Sequence, residues 1–239
     1  MRILTWNICC LPKKINAYHN PKKAIEGILN KINNLNPTVI KLQEVFDYKI
    51  QEKTVDRLKK SGYNVHISDN DHNFISKNGL LTATRYPIIS TNEYVFKNKT
   101  SVEYMIDKGI ITTGIQYPNN DSMLYLHNTH IQSDSMYGFY KECKEIRDKQ
   151  FEETIEYIKT YGDVSQIFSG DFNDDFDDLN LNEMIQMINF QKNPHKIITF
   201  PEHHTQLDYI LINMKDPNKV EFKICNTKLS DHYPFYVDI

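Results

Sequence analysis

The chain has 239 residues, with 28 Lys and Arg against 31 Asp and Glu, a formal net charge of −3, 40% hydrophobic and 12% aromatic residues, and only eight glycines. This composition excludes a disordered, collagen-like or linker-dominated chain, and its near-neutral balance removes the broad basic face that grips nucleic acid through phosphates. The length suits one large domain with a substantial core, so a single α/β domain over residues 1–239 is expected.

Residues 3 to 8, Ile3-Leu4-Thr5-Trp6-Asn7-Ile8, read as a short apolar strand that starts almost at Met1. No cationic stretch leads into a long apolar run and cleavage site, and no window of about 18 apolar residues occurs. A cytoplasmic chain without signal peptide or transmembrane segment is therefore expected, with export by another route left open. Pro21 opens a helical pattern, with Ala24, Ile25, Ile28, Leu29 and Ile32 on one face. Asn36-Pro37 breaks it, and Thr38 to Gln43 follows as a strand. A second helix is expected over residues 49 to 60. Five β-rich runs come next: Tyr63–Ile67, Leu80–Thr84, Ile88–Phe96, Ile110–Gln116 and Met123–Asn128. Tyr140 to Tyr161 carries a helical stripe of Ile146, Phe151, Ile155 and Ile158, and after Gly162 comes the strand Gln166-Ile167-Phe168. Leu181 to Ile188 reads as a short helix. Leu207–Ile212, Val220–Ile224 and Pro234–Val237 read as the closing strands. Antiparallel strands in the middle and crossover helices towards both ends predict two packed sheets. The four cysteines, Cys9, Cys10, Cys143 and Cys225, show no CxxC spacing, and inert thiols in a reducing compartment are expected.

Polar residues gather where apolar strands stop, the usual place for a scaffolded site. Asn7 ends the first strand and Glu44 follows the second. His130 ends His127-Asn128-Thr129-His130. Asp171 and Asn173 follow Phe168, Asp208 lies in Leu207-Asp208-Tyr209, and Asp231-His232 precedes the last strand. Carboxylate and amide oxygens suit a hard, octahedral Mg²⁺ that keeps waters for a substrate phosphate. Two histidines, each oriented by a carboxylate, supply base and transition-state functions. The set is what metal-assisted phosphoester hydrolysis needs.

The ordered series Thr5-Trp6-Asn7, Leu42-Gln43-Glu44-Val45, Asn128-Thr129-His130, Gly170-Asp171-Phe172-Asn173, Leu207-Asp208-Tyr209 and Ser230-Asp231-His232-Tyr233-Pro234 resembles the endonuclease/exonuclease/phosphatase superfamily, with its deoxyribonuclease I-like fold. The resemblance runs from residue 3 to 238. Gly79-Leu80-Leu81-Thr82-Ala83-Thr84-Arg85-Tyr86-Pro87, Asp107-Lys108-Gly109, Thr129-His130-Ile131-Gln132-Ser133-Asp134 and Arg147-Asp148-Lys149-Gln150 are similar to stretches of its neutral and bacterial sphingomyelinase branch. The fold so implied is α/β (α+β), a four-layer αββα sandwich of two packed mixed sheets flanked by helices.

The function implied is a metal-dependent phosphoric diester hydrolase of sphingomyelinase type, which releases a phosphorylated headgroup by in-line water attack. A deoxyribonuclease I-like or abasic-site endonuclease is the alternative, and a non-enzymatic binding module on the same scaffold a third. The implied cofactor is Mg²⁺, with Mn²⁺ or Co²⁺ as substitutes. Glu44 becomes the main metal ligand, with Asn7 and Asp231 beside it. His232 becomes the base, oriented by Asp208; Asp171 and Asn173 orient water and a phosphoryl oxygen; His130 assists the transition state or leaving group. Lys108 and Gln132 are further candidates for substrate contact. A monomer, a phospholipid headgroup as partner and peripheral membrane contact are implied, and the four Arg and the acidic run Asp171, Asp174, Asp175, Asp177 and Asp178 weigh against nucleic acid. That run reads as a solvated loop with only Asp171 buried, and Pro201-Glu202-His203-His204 as loop residues near the pocket.

The branch's long hydrophobic membrane-docking hairpin has no counterpart between Ile212 and Ser230. That stretch is polar, Asn213-Met214-Lys215-Asp216-Pro217-Asn218-Lys219, and Met136-Tyr137-Gly138-Phe139-Tyr140 is the other aromatic candidate for a membrane contact.

Overall fold

The computed structural model describes residues 1–11, 21–68, 78–100, 106–116, 123–134, 140–214 and 220–239. In chain order its elements are β1 (Arg2–Asn7), α1 (Pro21–Leu35), β2 (Val39–Gln43), α2 (Tyr48–Lys60), β3 (Asn64–Ile67), β4 (Leu81–Thr84), β5 (Ile88–Val95), β6 (Gly109–Gln116), β7 (Met123–His130), α3 (Tyr140–Lys159), β8 (Ser165–Asp171), α4 (Leu179–Met187), β9 (Asp208–Asn213), β10 (Glu221–Ile224) and β11 (Phe235–Asp238). Two mixed sheets result, one ordered β10-β11-β1-β2-β4-β3 and the other β5-β6-β7-β8-β9. Each contains one parallel pair, β1 with β2 and β7 with β8. Helices α1 and α3 make the crossovers that parallel pairing requires.

Strand periodicity sorts the side chains into layers. Leu4, Trp6, Ile40, Leu42, Leu81 and Ala83 pack against Ile25, Ile28 and Leu29 of α1 and Ile50 and Leu58 of α2. On the far side, Ile110, Phe168, Tyr209 and Leu211 pack against Phe151 and Ile158 of α3 and Leu181, Met184 and Ile185 of α4. Between the sheets lie Ile3, Val39, Ile115, Leu124, Leu126, Ile167, Ile210, Phe235 and Val237. The order of layers is α, β, β, α, as the motif series implies.

Polar residues share the inter-sheet space. Lys41 Nζ donates to His127 O at 2.8 Å and Ile167 O at 2.9 Å, and Gln43 Nε2 donates to Thr5 Oγ1 at 3.1 Å and Asn128 Oδ1 at 2.7 Å. Such bonds are expensive to leave unmade in an apolar interior, so they fix how one sheet sits on the other. They also explain why the strands outrun their apolar pattern. β7 continues past Asn128 to His130 and β8 past Phe168 to Asp171, because the polar residues there are hydrogen-bonded within the sandwich. Asn128 Nδ2 donates to Leu42 O and Leu81 O, and Thr129 Oγ1 donates to Gly109 O. Helix α4 begins two residues before the expected Leu181, since the Asp178 carboxylate caps it by accepting the Asn180 and Leu181 N–H groups. Helix α3 stops at Lys159, short of Tyr161, and Gly162 at φ +69° takes the turn.

His127 is fully buried, bonded through Nδ1 to Thr112 Oγ1 at 2.8 Å and through Nε2 to Gln166 Oε1 at 3.0 Å. Burial first, then the Lys41 ammonium, lowers its pKa to about 3. The folded chain thus binds fewer protons here than the unfolded chain between about pH 6.5 and 3, and the contribution is intact above 6.5 and lost as pH falls. Compared with His127→Gln, the wild type should lose about 1.4 kcal/mol more stability per pH unit below 6.5. Urea unfolding at pH 7, 6 and 5 measures it; parallel slopes for the two proteins would count against a neutral buried imidazole.

Candidate active site

The site forms where the strands of both sheets end together. On one sheet, register aligns His130, Asp171 and Asp208 across β7, β8 and β9. On the other, Asn7 pairs with Gln43 at the end of β1 and β2, and Glu44 follows directly. Glu44 adopts φ +58° and Asn173 φ +51°, a left-handed backbone that costs a side-chain-bearing residue on the order of 1 kcal/mol or more and that clusters at functional sites. Gly170, at φ +152°, lets β8 approach β7 closely, for a Cβ there would lie 2.0 Å from Thr129 O.

Asn7 links the acids of the two sheets. Its Nδ2 donates to Glu44 Oε1 at 3.0 Å and Asp171 Oδ2 at 2.9 Å, while its Oδ1 accepts the Cys9 N–H at 3.0 Å. The Asn7 amide thus lies between the two carboxylates, and its oxygen, with one N–H accepted, keeps a second lone pair. Ser230, which the sequence reading left without a role, donates its one hydroxyl proton to Asn7 O at 2.7 Å and has Asp231 Oδ1 at 3.0 Å as the alternative acceptor, and Trp6 Nε1 donates to His232 O at 3.0 Å. These bonds hold the Ser230-Asp231-His232 segment against β1.

His232 Nδ1 lies 2.7 Å from Asp208 Oδ2, and its Nε2 lies 3.7 Å from Asp171 Oδ2. Burial opposes charge on the ring, yet Asp208, Asp171 and Asp231 prevail and raise its pKa to about 10. Asp171, Asp208 and His232 offer ligand atoms within 4.8 Å of one another, a spacing a metal ion could use. The 2.7 Å contact is hydrogen-bond length, however, and places a proton between His232 and Asp208. Burial, then Asp231, raises Glu44 to about 7. Burial raises Asp171 to about 6, despite the opposing charge of His232. Glu44 keeps 17% of its side chain exposed. A hard divalent cation fits this donor set of crowded carboxylate oxygens, one of them reachable from solvent.

His130 Nε2 lies 3.1 Å from Lys108 Nζ, 3.7 Å from Asp171 Oδ2 and 3.9 Å from Glu44 Oε1. Burial, then Lys108 and His232, pushes its pKa well below the ordinary imidazole value, so the ring is neutral. Lys108 also donates to Ile131 O at 2.7 Å and therefore belongs with the cluster. Asn173 donates its N–H to Asp171 Oδ1 and its Nδ2 to Ile131 O, both at 3.0 Å. Asp231 is exposed at the rim. Gln132 stands apart. It is 1% exposed, its Nε2 donates to Ser133 O, and neither bond it donates reaches the acids.

One face of α3 holds the surrounding loops. Arg147 donates to Asp134 Oδ1 at 2.8 Å, Asp174 Oδ2 at 3.3 Å and Gln132 O at 3.2 Å, and Gln150 bridges the Gln132 N–H and Asn98 O. The acidic loop is accordingly less solvated than expected. Asp174 is buried against Arg147, Asp178 caps α4, and Asp175 pairs with Lys196. Cys9 and Cys10 are buried thiols whose pKa values burial pushes up. The expected membrane candidates at 136–139, and most of the polar segment 213–219, lie outside the described residues. Among the described residues, no helix is long and apolar enough to cross a membrane.

No protein-family model matches the chain. A curated relative, sphingomyelinase C of Bacillus cereus, is 23% identical over 193 residues, which is 72% of this chain and 56% of that protein. The chain thus spans about half the length of the curated relatives it matches. Beta toxin from Staphylococcus aureus, solved as a variant with bound magnesium ions, superposes with a TM-score of 0.84 at 18% identity, covering 99% of this chain and 98% of that one. TDP2 of D. rerio, complexed with a single-strand DNA product, superposes with a TM-score of 0.74 at 15% identity, covering 99% and 97%. The fold is the deoxyribonuclease I-like one, and the chain stands near the bacterial sphingomyelinases within it.

Proposed function

We propose that this chain is a divalent-cation-dependent phosphodiesterase of sphingomyelinase type, one catalytic domain over residues 1–239 that releases a phosphorylated headgroup from a phospholipid by in-line attack of water. The observation that carries the reading is the buried His232–Asp208 pair set against Asp171, Asn7 and Glu44, in a chain whose curated relative is a sphingomyelinase C.

Asp208 accepts the Nδ1 proton and so leaves Nε2 of His232 as the atom that takes the proton from the attacking water. Asp171, held by the Asn7 amide and the Asn173 N–H, orients that water, and Asn173 faces a phosphoryl oxygen. Lys108 sets an ammonium beside neutral His130, and this pair stabilises charge that grows on the phosphate. Glu44 is the principal metal ligand, Asp231 completes the acidic edge, and Asn7 spaces the carboxylates. A divalent cation, Mg²⁺ with Mn²⁺ or Co²⁺ as substitutes, supplies electrophilic charge there and offsets the carboxylates that raise the proton affinity of His232. Gln132 braces the loop after His130 through its backbone. The chain acts as a monomer with peripheral contact to a lipid surface, and a cytoplasmic setting agrees with its buried thiols.

Sphingomyelin in micelles, a lyso-phospholipid and supercoiled plasmid, offered in parallel with Mg²⁺, test the reading. Phosphocholine release is expected. Plasmid nicking without headgroup release would replace it with a nuclease, the alternative that the motif series also implies. Glu44→Gln should raise the Mg²⁺ concentration for half-maximal activity about tenfold or more; an unchanged metal titration would remove Glu44 from the ligand set.

A further inference from the structure

The side chains that face each other across the two sheets turn from apolar to polar as the strands approach the acids. Period-two spacing sets Val39, Lys41 and Gln43 on one face of β2, and Leu126, Asn128 and His130 on one face of β7. Val39 and Leu126 belong to the apolar layer between the sheets. Asn128, fully buried, commits its amide to the opposite sheet. Its Oδ1 accepts the Gln43 Nε2 bond at 2.7 Å, and its Nδ2 donates to Leu42 O at 3.1 Å and Leu81 O at 3.0 Å. Leu42 and Leu81 are the last register pair of β2 and β4, so this amide closes the end of that ladder two residues before Glu44. Gln43, also fully buried, donates its second amide proton to Thr5 Oγ1 at 3.1 Å, two residues before Asn7. The bridge is thus built from the residues that lead directly into Glu44, Asn7 and His130.

We propose that Gln43 and Asn128 are positioning residues whose bridge sets the gap between Glu44 on one sheet and His130 and Asp171 on the other, and through that gap the affinity of the acids for a divalent cation. The inference rests on the metal-dependent reading above and adds to it two residues outside the ligand set. Apolar contact is non-directional, so the layer around Val39 and Leu126 holds the sheets together without fixing their separation at the site. A hydrogen bond between buried amides has a narrow length and is expensive to leave unmade. Nearer the acids, the tie between sheets is Asn7 Nδ2 to Asp171 Oδ2 at 2.9 Å, and that nitrogen is shared with Glu44. Both of its acceptors are carboxylates on which a cation would draw. The Gln43–Asn128 bridge contains no carboxylate, so it keeps its length whether or not a cation is bound. Oxygens on two separate sheets serve one hard cation at a spacing close to its bond lengths. The partners behind metal ligands commonly govern affinity in this way.

Mn²⁺ binding without substrate, read from the EPR signal of the free ion, provides the test, with urea unfolding beside it to show that each variant is folded. Gln43→Asn shortens the bridge by one methylene and should weaken Mn²⁺ binding about tenfold. The double variant Gln43→Asn/Asn128→Gln restores the number of methylenes between β2 and β7, and should return the affinity to within about threefold of wild type, as coupled neighbours do. Lys41→Met is the control. It removes the deeper ties of Lys41 Nζ to His127 O and Ile167 O, so its urea midpoint should move while its Mn²⁺ affinity stays within about twofold of wild type. Glu44→Gln should weaken the same binding, which identifies the counted ion as the one at the acids. Unchanged affinity in Gln43→Asn, a double variant no tighter than the single one, or an equal loss in Lys41→Met would each overturn the positioning role, since a merely structural tie alters stability and not the affinity of the folded chain. Absence of Mn²⁺ binding to the wild type would instead remove the metal-dependent reading itself, so the two failures are distinct.

Discussion

His232→Ala should lower kcat by roughly 10²- to 10⁴-fold, the range that a positioned acid–base group supplies. It should also cost stability, because Asp208 is fully buried and His232 is its 2.7 Å partner. Removing one member of a buried ion pair typically costs about 3–5 kcal/mol, since the other charge is left uncompensated. The double variant His232→Ala/Asp208→Asn separates the two effects. It removes the stranded charge and should regain part of the stability, on the order of 1–3 kcal/mol, while turnover stays at the level of the single variant. Steady-state kinetics beside urea unfolding gives both readouts. Recovery of turnover in the double variant, or near wild-type kcat in the single one, would show that another group takes the proton.

Gly170→Ala should be strongly destabilising for so small a change, at about 3 kcal/mol or more. The added methyl would meet Thr129 O at 2.0 Å and Thr129 C and N at 2.9 Å. These are backbone atoms of the neighbouring parallel strand, so no rotamer change relieves the overlap. Only separation of β7 from β8 does, and that breaks the row that joins His130 to Asp171. The φ of +152° adds strain of its own. Gly162→Ala is the control. Its φ is +69°, but nothing lies within 4 Å of the added atom, so it should cost about 1 kcal/mol, with activity retained. Similar urea midpoints for the two variants would show that the β7–β8 spacing is not what Gly170 protects.

The layers and most elements were legible in the sequence because apolar periodicity reports burial directly. Ala24, Ile25, Ile28, Leu29 and Ile32 mark a helix face, and that face packs on β1 and β2. Periodicity fails where buried positions are polar. Lys41, Gln43 and Asn128 sit between the sheets satisfied by partners far away in sequence, and no local pattern announces such partners. For the same reason β7 and β8 looked shorter than they are. The ordered motifs brought forward Asn7, Glu44, His130, Asp171, Asn173, Asp208, Asp231 and His232, and the structure gathers them at one end of the sandwich. The bonding of each was not legible. Nothing in Trp6-Asn7 shows that the Asn7 oxygen faces the Cys9 N–H, and nothing in the acidic run shows that Asp174 is buried against Arg147.

The place of β1 has a consequence for how the molecule is made. It lies between β2 and β11, and Arg2 pairs with Asp238. During vectorial synthesis β1 therefore presents one unpaired edge until residues near 238 have emerged. The nascent chain carries Asn7 and Glu44 long before it carries Asp231 and His232, so the acid cluster stays incomplete while that sheet edge is open. Contacts of this sequence separation slow folding. The row of site residues should therefore assemble late, once β11 has docked on β1.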